Sequence, residues 1–210
     1  AKLYRAWMAE FRTPFFRSYM INDPKLLTLV LKDRPDDFPK SDRIGAGLRP
    51  LLGNSVFLTN GEVWKRQRRI IDPAFEGGRL RDTFPAMWAA GEAAVERIEG
   101  LATGKPVEIE EETSHAAADV IFRTLFSIPI EHDLATRVFA EFKAHQRSQP
   151  ILNLAAFLPG SSWMPRFFRS ETRRTARLIR DLIGRLVAER AALIDAGTAP
   201  DDLASKTMTT

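Results

Sequence analysis

The chain has 210 residues, of which 44% are hydrophobic and 28% charged, and its 31 basic and 27 acidic residues give a formal net charge of +4. This composition is typical of a folded globular protein and excludes a disordered one. The absence of cysteine excludes disulfides, zinc–thiolate sites and a cysteine nucleophile within these residues. Because no apolar run approaches the ~20 residues of a membrane span and no signal peptide is evident, we expect a soluble cytoplasmic chain. The chain begins at Ala1 without a methionine, which leaves an upstream anchor or targeting segment open.

The first residues predict a small β-region. The segment from Thr13 to Ile21 is aromatic and rich in strand formers, with turn residues on both sides, which predicts a strand. Residues 3–8 are the expected hairpin partner. Asn22 or Asp23 can then cap a helix that begins near Pro24 and runs to about residue 32.

Prolines, glycines and scattered charges from Arg34 to Asn60 predict a long irregular segment with one short helix near 44–51. After Asn60 the sequence is mostly helical, apart from an apolar connection at 149–169 that contains three prolines. Helices are predicted at 61–72, 79–100, 111–127, 132–148 and 170–197, with a short strand at 106–109.

The predicted fold class is therefore mainly α with a small β-sheet, divided into a β-rich and loop region at 1–60 and a helical region at 61–210. Near the end, Asp201 or Asp202 can cap a further helix that has barely begun at Thr210. This pattern predicts a truncated chain.

The strongest candidate binding residues lie on the helix predicted at 61–72. Trp64, Arg68 and Ile71 fall on one stripe of it, and three cations lie on the opposite arc: Lys65, Arg66 and Arg69. A guanidinium on the core-facing stripe needs an anion, since burying it unpaired is costly. Asp72 stands beside Pro73 at the predicted helix end, so we expect the anion from elsewhere in the fold or from a ligand.

An arginine fork beside an indole N–H suits a carboxylate on a large, flat, apolar molecule. Two other interpretations of Arg68 stay open. It could pair with a distant Asp or Glu, or its side chain could extend to the surface.

The pattern Gly61-x-x-Trp64-x-x-x-Arg68, followed by Pro73-x-Phe75, resembles the helix C signature of cytochrome P450 haem-thiolate monooxygenases. The order of the other elements is also similar to this family, from the first sheet strands and helix B through helix G. The resemblance implies that the chain is the N-terminal half of the P450 fold, in which Trp64 and Arg68 contact a haem propionate.

The resemblance also implies further site residues. Phe57, Leu51 and Leu52 would belong to the substrate pocket, and the segments 44–52 and 149–169 would line or cover its channel. The basic arc of Lys65, Arg66 and Arg69 would form a surface that docks an acidic electron donor, either a ferredoxin or a flavoprotein.

The complete enzyme would insert one oxygen atom from O2 into an apolar organic substrate, with haem as cofactor and electrons from the redox partner. The chain departs from the family because it has no cysteine to serve as axial iron ligand. We therefore expect no catalytic residue and no metal ligand in it, no activity from it alone, and haem that is absent or bound in a non-native way. Half a core also leaves apolar surface exposed, which predicts self-association or partial disorder.

Two alternatives remain from the sequence. An all-α, arginine-rich DNA-binding regulator would place the basic helix 61–72 on phosphates. Against it, Trp64 and Arg68 lie on the apolar side, the N-terminal region is strand and loop, and we expect no nucleic-acid partner. A non-catalytic carrier of haem or an apolar ligand would require the chain to end at Thr210.

Overall fold

A computed structural model of the chain describes residues 6–12, 16–75, 79–148 and 170–209. The described residues form a two-stranded antiparallel sheet and a series of helices. The strands are β1 (Met8–Arg12) and β2 (Arg17–Ile21); the α-helices are α1 (Pro24–Thr28), α2 (Asp42–Leu52), α3 (Gly61–Phe75), α4 (Arg79–Asp82), α5 (Phe84–Leu101), α6 (Ile109–Phe126), α7 (Asp133–Ser148), α8 (Ser170–Asp195) and α9 (Leu203–Met208).

These elements belong to two compact units, and the division falls inside α3. One unit contains the described residues up to Gln67, and the other contains 68–148 and the residues from Ser170 onward. The division predicted at residue 60 is of a different kind, because it separates a β-rich and loop region from a helical region. It stays a prediction.

In the unit that ends at Gln67, the hairpin pairs Met8 with Ile21 and Arg12 with Arg17. The predicted strand is confirmed over 17–21. Its expected partner at 3–8 is wrong, because the strand opposite β2 is 8–12. The proline at position 14, taken from the sequence as a strand boundary, lies between the two paired segments.

The helix predicted from Pro24 is confirmed at its start. The Asp23 side chain accepts hydrogen bonds from the backbone N–H groups of Lys25 and Leu26. After α1 the backbone changes to a π-helical turn at Leu29–Asp33 and a 3-10 turn at Pro35–Asp37. The short helix expected near 44–51 is α2, and it is followed by Gly53, a C-cap glycine with a positive φ of 57°.

Two predictions in the other unit are wrong in their local detail. The helix expected at 79–100 is divided into α4 and α5 at Thr83, because Pro85 has no N–H to continue the helical hydrogen bonds. The strand expected at 106–109 is absent from the described residues there. Ile109 instead begins α6, whose first turn carries three glutamates that suit the positive end of the helix dipole.

The core of this unit lies where α6, α7 and α8 meet. It is built from apolar side chains of the three helices and of the turn between α6 and α7: Phe122, Ile130, Leu134, Ala135, Val138, Leu182 and Leu186. The remaining predicted helices are thus confirmed with small shifts of their ends. The connection at 149–169 lies outside the described residues.

A buried polar network continues the α7–α8 packing. His145 is 6% exposed, and its Nδ1 lies 2.9 Å from Thr175 Oγ1 on α8. Ser148 Oγ lies 3.1 Å from Thr172 Oγ1. Desolvation lowers the pKa of His145, which favours the neutral imidazole in the folded chain.

The His145 environment predicts that stability falls on mild acidification. Below its ordinary pKa of 6.5, the unfolded chain takes up a proton that the folded chain resists, so the free energy of unfolding decreases as pH falls. One such proton limits the slope to about 1.4 kcal/mol per pH unit. Urea titrations from pH 8 to pH 5 measure the slope for the wild type and for His145→Asn, which should be flatter.

The exposed His132 supplies the control for that series. His132→Asn should keep the wild-type slope. A His145→Asn slope equal to that of the wild type would show that His145 does not set the pH dependence. The pKa of His115 is also lowered, chiefly by desolvation. Because His115 is present in the wild type and in both variants, it contributes to the slope of each in the same way.

A buried ion pair joins α8 to α9. Arg190 Nη2 lies 2.8 Å from Asp202 Oδ2, and the two side chains are only 5% and 4% exposed. The same nitrogen donates to the carbonyl of Phe126 at the end of α6. Asp202 also accepts hydrogen bonds from Ser127 Oγ and from the backbone N–H of Ser205, which caps α9. The pair therefore joins the end of α6 and the start of α9 to α8.

Removing one partner of this ion pair should be strongly destabilising, because the other charge stays buried. Arg190→Met should lower the free energy of unfolding by about 3–5 kcal/mol. Arg185→Met, an exposed position on the same helix, should change it by less than about 0.5 kcal/mol. Urea unfolding of both variants checks this, and equal losses would contradict the role given to the buried pair.

Candidate functional site

Helix α3 runs without interruption from Gly61 to Phe75, beyond the predicted end at residue 72. Pro73 removes only one hydrogen bond in the last turn, so the helix continues through it. Trp64 and Arg68 are four residues apart on this helix and therefore lie on the same side, one turn from each other. The structure thus confirms the helical spacing on which the sequence argument depended.

The expectation that Arg68 is buried without a local anion is wrong. Its side chain is 47% exposed, and Nη2 lies 2.5 Å from Oδ1 of Asp72, which is itself 41% exposed. Because α3 extends past residue 72, Asp72 stays in the i+4 position on the same side as Arg68. Of the two alternatives left open, pairing with a distant Asp or Glu is wrong, because the partner is Asp72, four residues along the same helix. The other alternative, extension of the side chain to the surface, agrees with its half-exposed position.

Trp64 is partly buried and lies against Lys40. The Lys40 ammonium is 4.9 Å from the centre of the indole ring, a cation–π contact, and donates a hydrogen bond of 2.9 Å to the carbonyl of Thr59. Lys40 and Asn60 also pair reciprocally. The Lys40 backbone N–H donates to Asn60 Oδ1 at 2.9 Å, and Asn60 Nδ2 donates to the Lys40 carbonyl at 3.1 Å.

Gln67 fastens the turn at 53–60 to the start of α3. Its Nε2 donates to the carbonyl of Asn54 at 2.7 Å, and its Oε1 accepts from Thr59 Oγ1 at 2.6 Å. Together with the Lys40–Asn60 pair, these bonds fix the segment that leads to Trp64. The sequence did not reveal this network, because its partners are between 8 and 20 residues apart and follow no periodic pattern.

The predicted pocket residues lie in the same unit as Trp64. Phe57 is in the turn that Gln67 fastens, and its side chain is 69% exposed. Leu51 and Leu52 form the last residues of α2 and are partly buried. Their assignment to a substrate pocket stays a prediction.

The three cations predicted on the opposite arc differ in their surroundings. Lys65 Nζ lies 3.3 Å from Asp36 Oδ2 and 3.4 Å from Glu62 Oε1, and these two carboxylates raise its pKa, Asp36 most. Arg66 and Arg69 are exposed on α3. The positive charge of Lys65 is therefore balanced locally, and the two arginines are the cations this arc presents most openly.

An apolar groove of about 880 Å3 lies between α6 and α7, in the unit that begins at Arg68. Its walls include Phe122, Leu125, Phe139 and Phe142. Other large apolar side chains are exposed on the described chain, among them Trp88 at 60%. The sequence predicted exposed apolar surface without locating it, and self-association through it stays a prediction.

Comparison with known proteins places this helical arrangement in a family. The family model for cytochrome P450 matches residues 10–210. The chain belongs to the cytochrome P450 family. Among similar proteins, cytochrome P450 72A11 of Arabidopsis thaliana is 30% identical over 188 residues, which cover 87% of this chain and 35% of that protein. A cytokinin hydroxylase of the same plant is 27% identical over 160 residues, covering 75% of this chain and 31% of that protein.

A solved zebrafish cytochrome P450 with progesterone has a similar fold. Its TM-score is 0.66 at 14% identity, and the match covers 97% of this chain and 47% of that one. The predicted fold class and the N-terminal P450 portion are confirmed. The chain spans about a third of the length of the curated P450 relatives that it matches and about half of the solved structure.

The P450 family model covers α3, so the comparison does not support the alternative of an all-α DNA-binding regulator. Within the described ranges, none of the helices has both the length and the apolar character that crossing a bilayer requires.

Proposed function

We propose that α3 of this P450 chain binds the carboxylate edge of haem through Trp64 and Arg68. The observation that carries the proposal is the placement of a half-exposed guanidinium and an indole on one side of an unbroken helix, in a chain that the P450 model matches. The two side chains fit this group. A guanidinium fork and an indole N–H both donate hydrogen bonds, and a propionate carboxylate accepts them.

The complete enzyme, on this proposal, is a monooxygenase that inserts one oxygen atom from O2 into an apolar substrate. Bound haem would supply the oxygen chemistry, and a cysteine thiolate would hold its iron. This chain has no cysteine, so the thiolate would come from residues outside 1–210, and the 210 residues alone would be inactive. The contribution of the chain's own residues is to bind and orient the haem edge and to neutralise its charge.

The residues proposed to contact the substrate and the electron donor are those that the family resemblance indicated. Phe57, with Leu51 and Leu52, would contact the apolar substrate. Phe57 is exposed on a turn that hydrogen bonds from Gln67 hold in place, so its ring is available to contact a ligand. Arg66 and Arg69, with Lys65 beside them, would attract an acidic ferredoxin or flavoprotein in the cytoplasm.

Loss of the guanidinium should weaken haem binding. In the natural chain that contains these residues, Arg68→Ala should raise the haem dissociation constant by about 10-fold or more, since a hydrogen bond to a charged group stabilises by about 1.5–3 kcal/mol. Arg69→Ala removes the same charge from the neighbouring position and should leave the constant within about twofold. A titration followed in the Soret region measures both, and equal effects would contradict the proposed site.

Charge reversal on the basic arc should slow electron transfer from an acidic donor. Arg66→Glu with Arg69→Glu should reduce the association rate by about 10-fold at low ionic strength, and the difference should shrink as salt screens it. Stopped-flow reduction of the natural chain measures the rate. The control is Arg185→Glu on α8, and a reduction of similar size in that variant would count against a docking surface on α3.

A further inference from the structure

The guanidinium proposed to bind haem already holds a carboxylate of the chain itself. The Arg68–Asp72 distance of 2.5 Å is that of a close ion pair, and both side chains remain accessible to a ligand. Asp72 belongs to the last part of α3, whose final turn has no basic residue. An acid near this end of a helix is disfavoured by the helix dipole, so Arg68 is the group that compensates the charge of Asp72.

We propose that Asp72 is an internal competitor that occupies Arg68 until a ligand carboxylate replaces it. This inference rests on the proposed role of Arg68 in binding a haem propionate. Asp72 and a propionate present the same chemical group to the same guanidinium. A propionate must therefore either displace the Asp72 carboxylate from Arg68 or bind beside it and meet its charge repulsion.

Both routes lower the affinity of the site for haem, and the size of the effect follows from the exposure of the pair. Exposed i,i+4 ion pairs contribute little to stability, so their loss changes an equilibrium only about twofold. Repulsion between two carboxylates on one guanidinium adds to this. We expect removal of the Asp72 charge to tighten haem binding by about two- to fivefold.

The direction of the change separates a competitor from an ordinary stabilising residue. A residue that only stabilises α3 would, when removed, lower stability and leave haem binding unchanged or weaker. Asp72→Asn should instead lower the thermal midpoint of the haem-free chain slightly while lowering the haem dissociation constant. Asp72→Glu, which keeps the carboxylate, should restore wild-type binding.

The test is a haem titration of the natural chain in the Soret region, with thermal unfolding of each haem-free variant. Glu62→Gln is the matched control. Glu62 is also on α3 but pairs with Lys65 rather than Arg68, and its substitution changes the net charge by the same amount. It should leave the haem dissociation constant within experimental error. Unchanged or weaker binding by Asp72→Asn, or equal tightening by Glu62→Gln, would overturn the proposal.

Arg68→Ala distinguishes this failure from failure of the proposed function. If Arg68→Ala does not weaken haem binding, or the wild type shows no saturable binding, the proposed haem site on α3 is wrong and the competitor role falls with it. If Arg68→Ala weakens binding while Asp72→Asn does not tighten it, only the competitor role is wrong. Asp72→Asn should tighten haem binding less in the Arg68→Ala chain than in the wild type, since without the guanidinium the two carboxylates no longer compete for one partner.

Discussion

The buried ion pair between Arg190 and Asp202 is the interaction on which the larger unit depends. Both side chains are almost inaccessible to solvent, and the pair lies where α6 ends, α8 passes and α9 begins. Both carboxylate oxygens of Asp202 have partners, and Arg190 Nη2 meets the carboxylate and also the Phe126 carbonyl that α6 cannot satisfy itself. Arg190 Nε and Nη1 are buried without a hydrogen-bond partner among the described residues, so the attraction between the two charges carries most of the compensation. The apolar core of α6, α7 and α8 supplies most of the burial, whereas this pair fixes the arrangement of the helix ends.

Arg68 illustrates the opposite case, an arginine near the surface whose partner can change. Its pair with Asp72 is half-exposed and lies within one helix, so it stabilises little and can be exchanged. Trp64 on the same side of α3 is held by Lys40, and the turn before it by Gln67 and Asn60. The indole and the guanidinium thus have different partners, Lys40 for Trp64 and Asp72 for Arg68.

The sequence predicted the parts of this structure that follow from local chemistry. The cap at Asp23, the helical periodicity of α8 and the Trp64–Arg68 spacing each depend on residues within a few positions, and each is confirmed. The errors came from competing local signals. Pro73 suggested a helix end, but a proline in the last turn removes only one hydrogen bond and α3 continues through it. The apolar residues near Ile109 suggested a strand where no paired partner exists in the described chain. The Lys40–Asn60 pair could not be predicted, because single-sequence reasoning gives no register for contacts 20 residues apart.

A crystal structure of the natural chain with haem bound would show directly which groups hold the propionates. We expect a propionate within hydrogen-bond distance of the Arg68 guanidinium and the Trp64 indole nitrogen, with the Asp72 carboxylate turned away from Arg68. A structure in which Arg68 keeps Asp72 as its sole carboxylate, while other residues hold both propionates, would contradict this expectation.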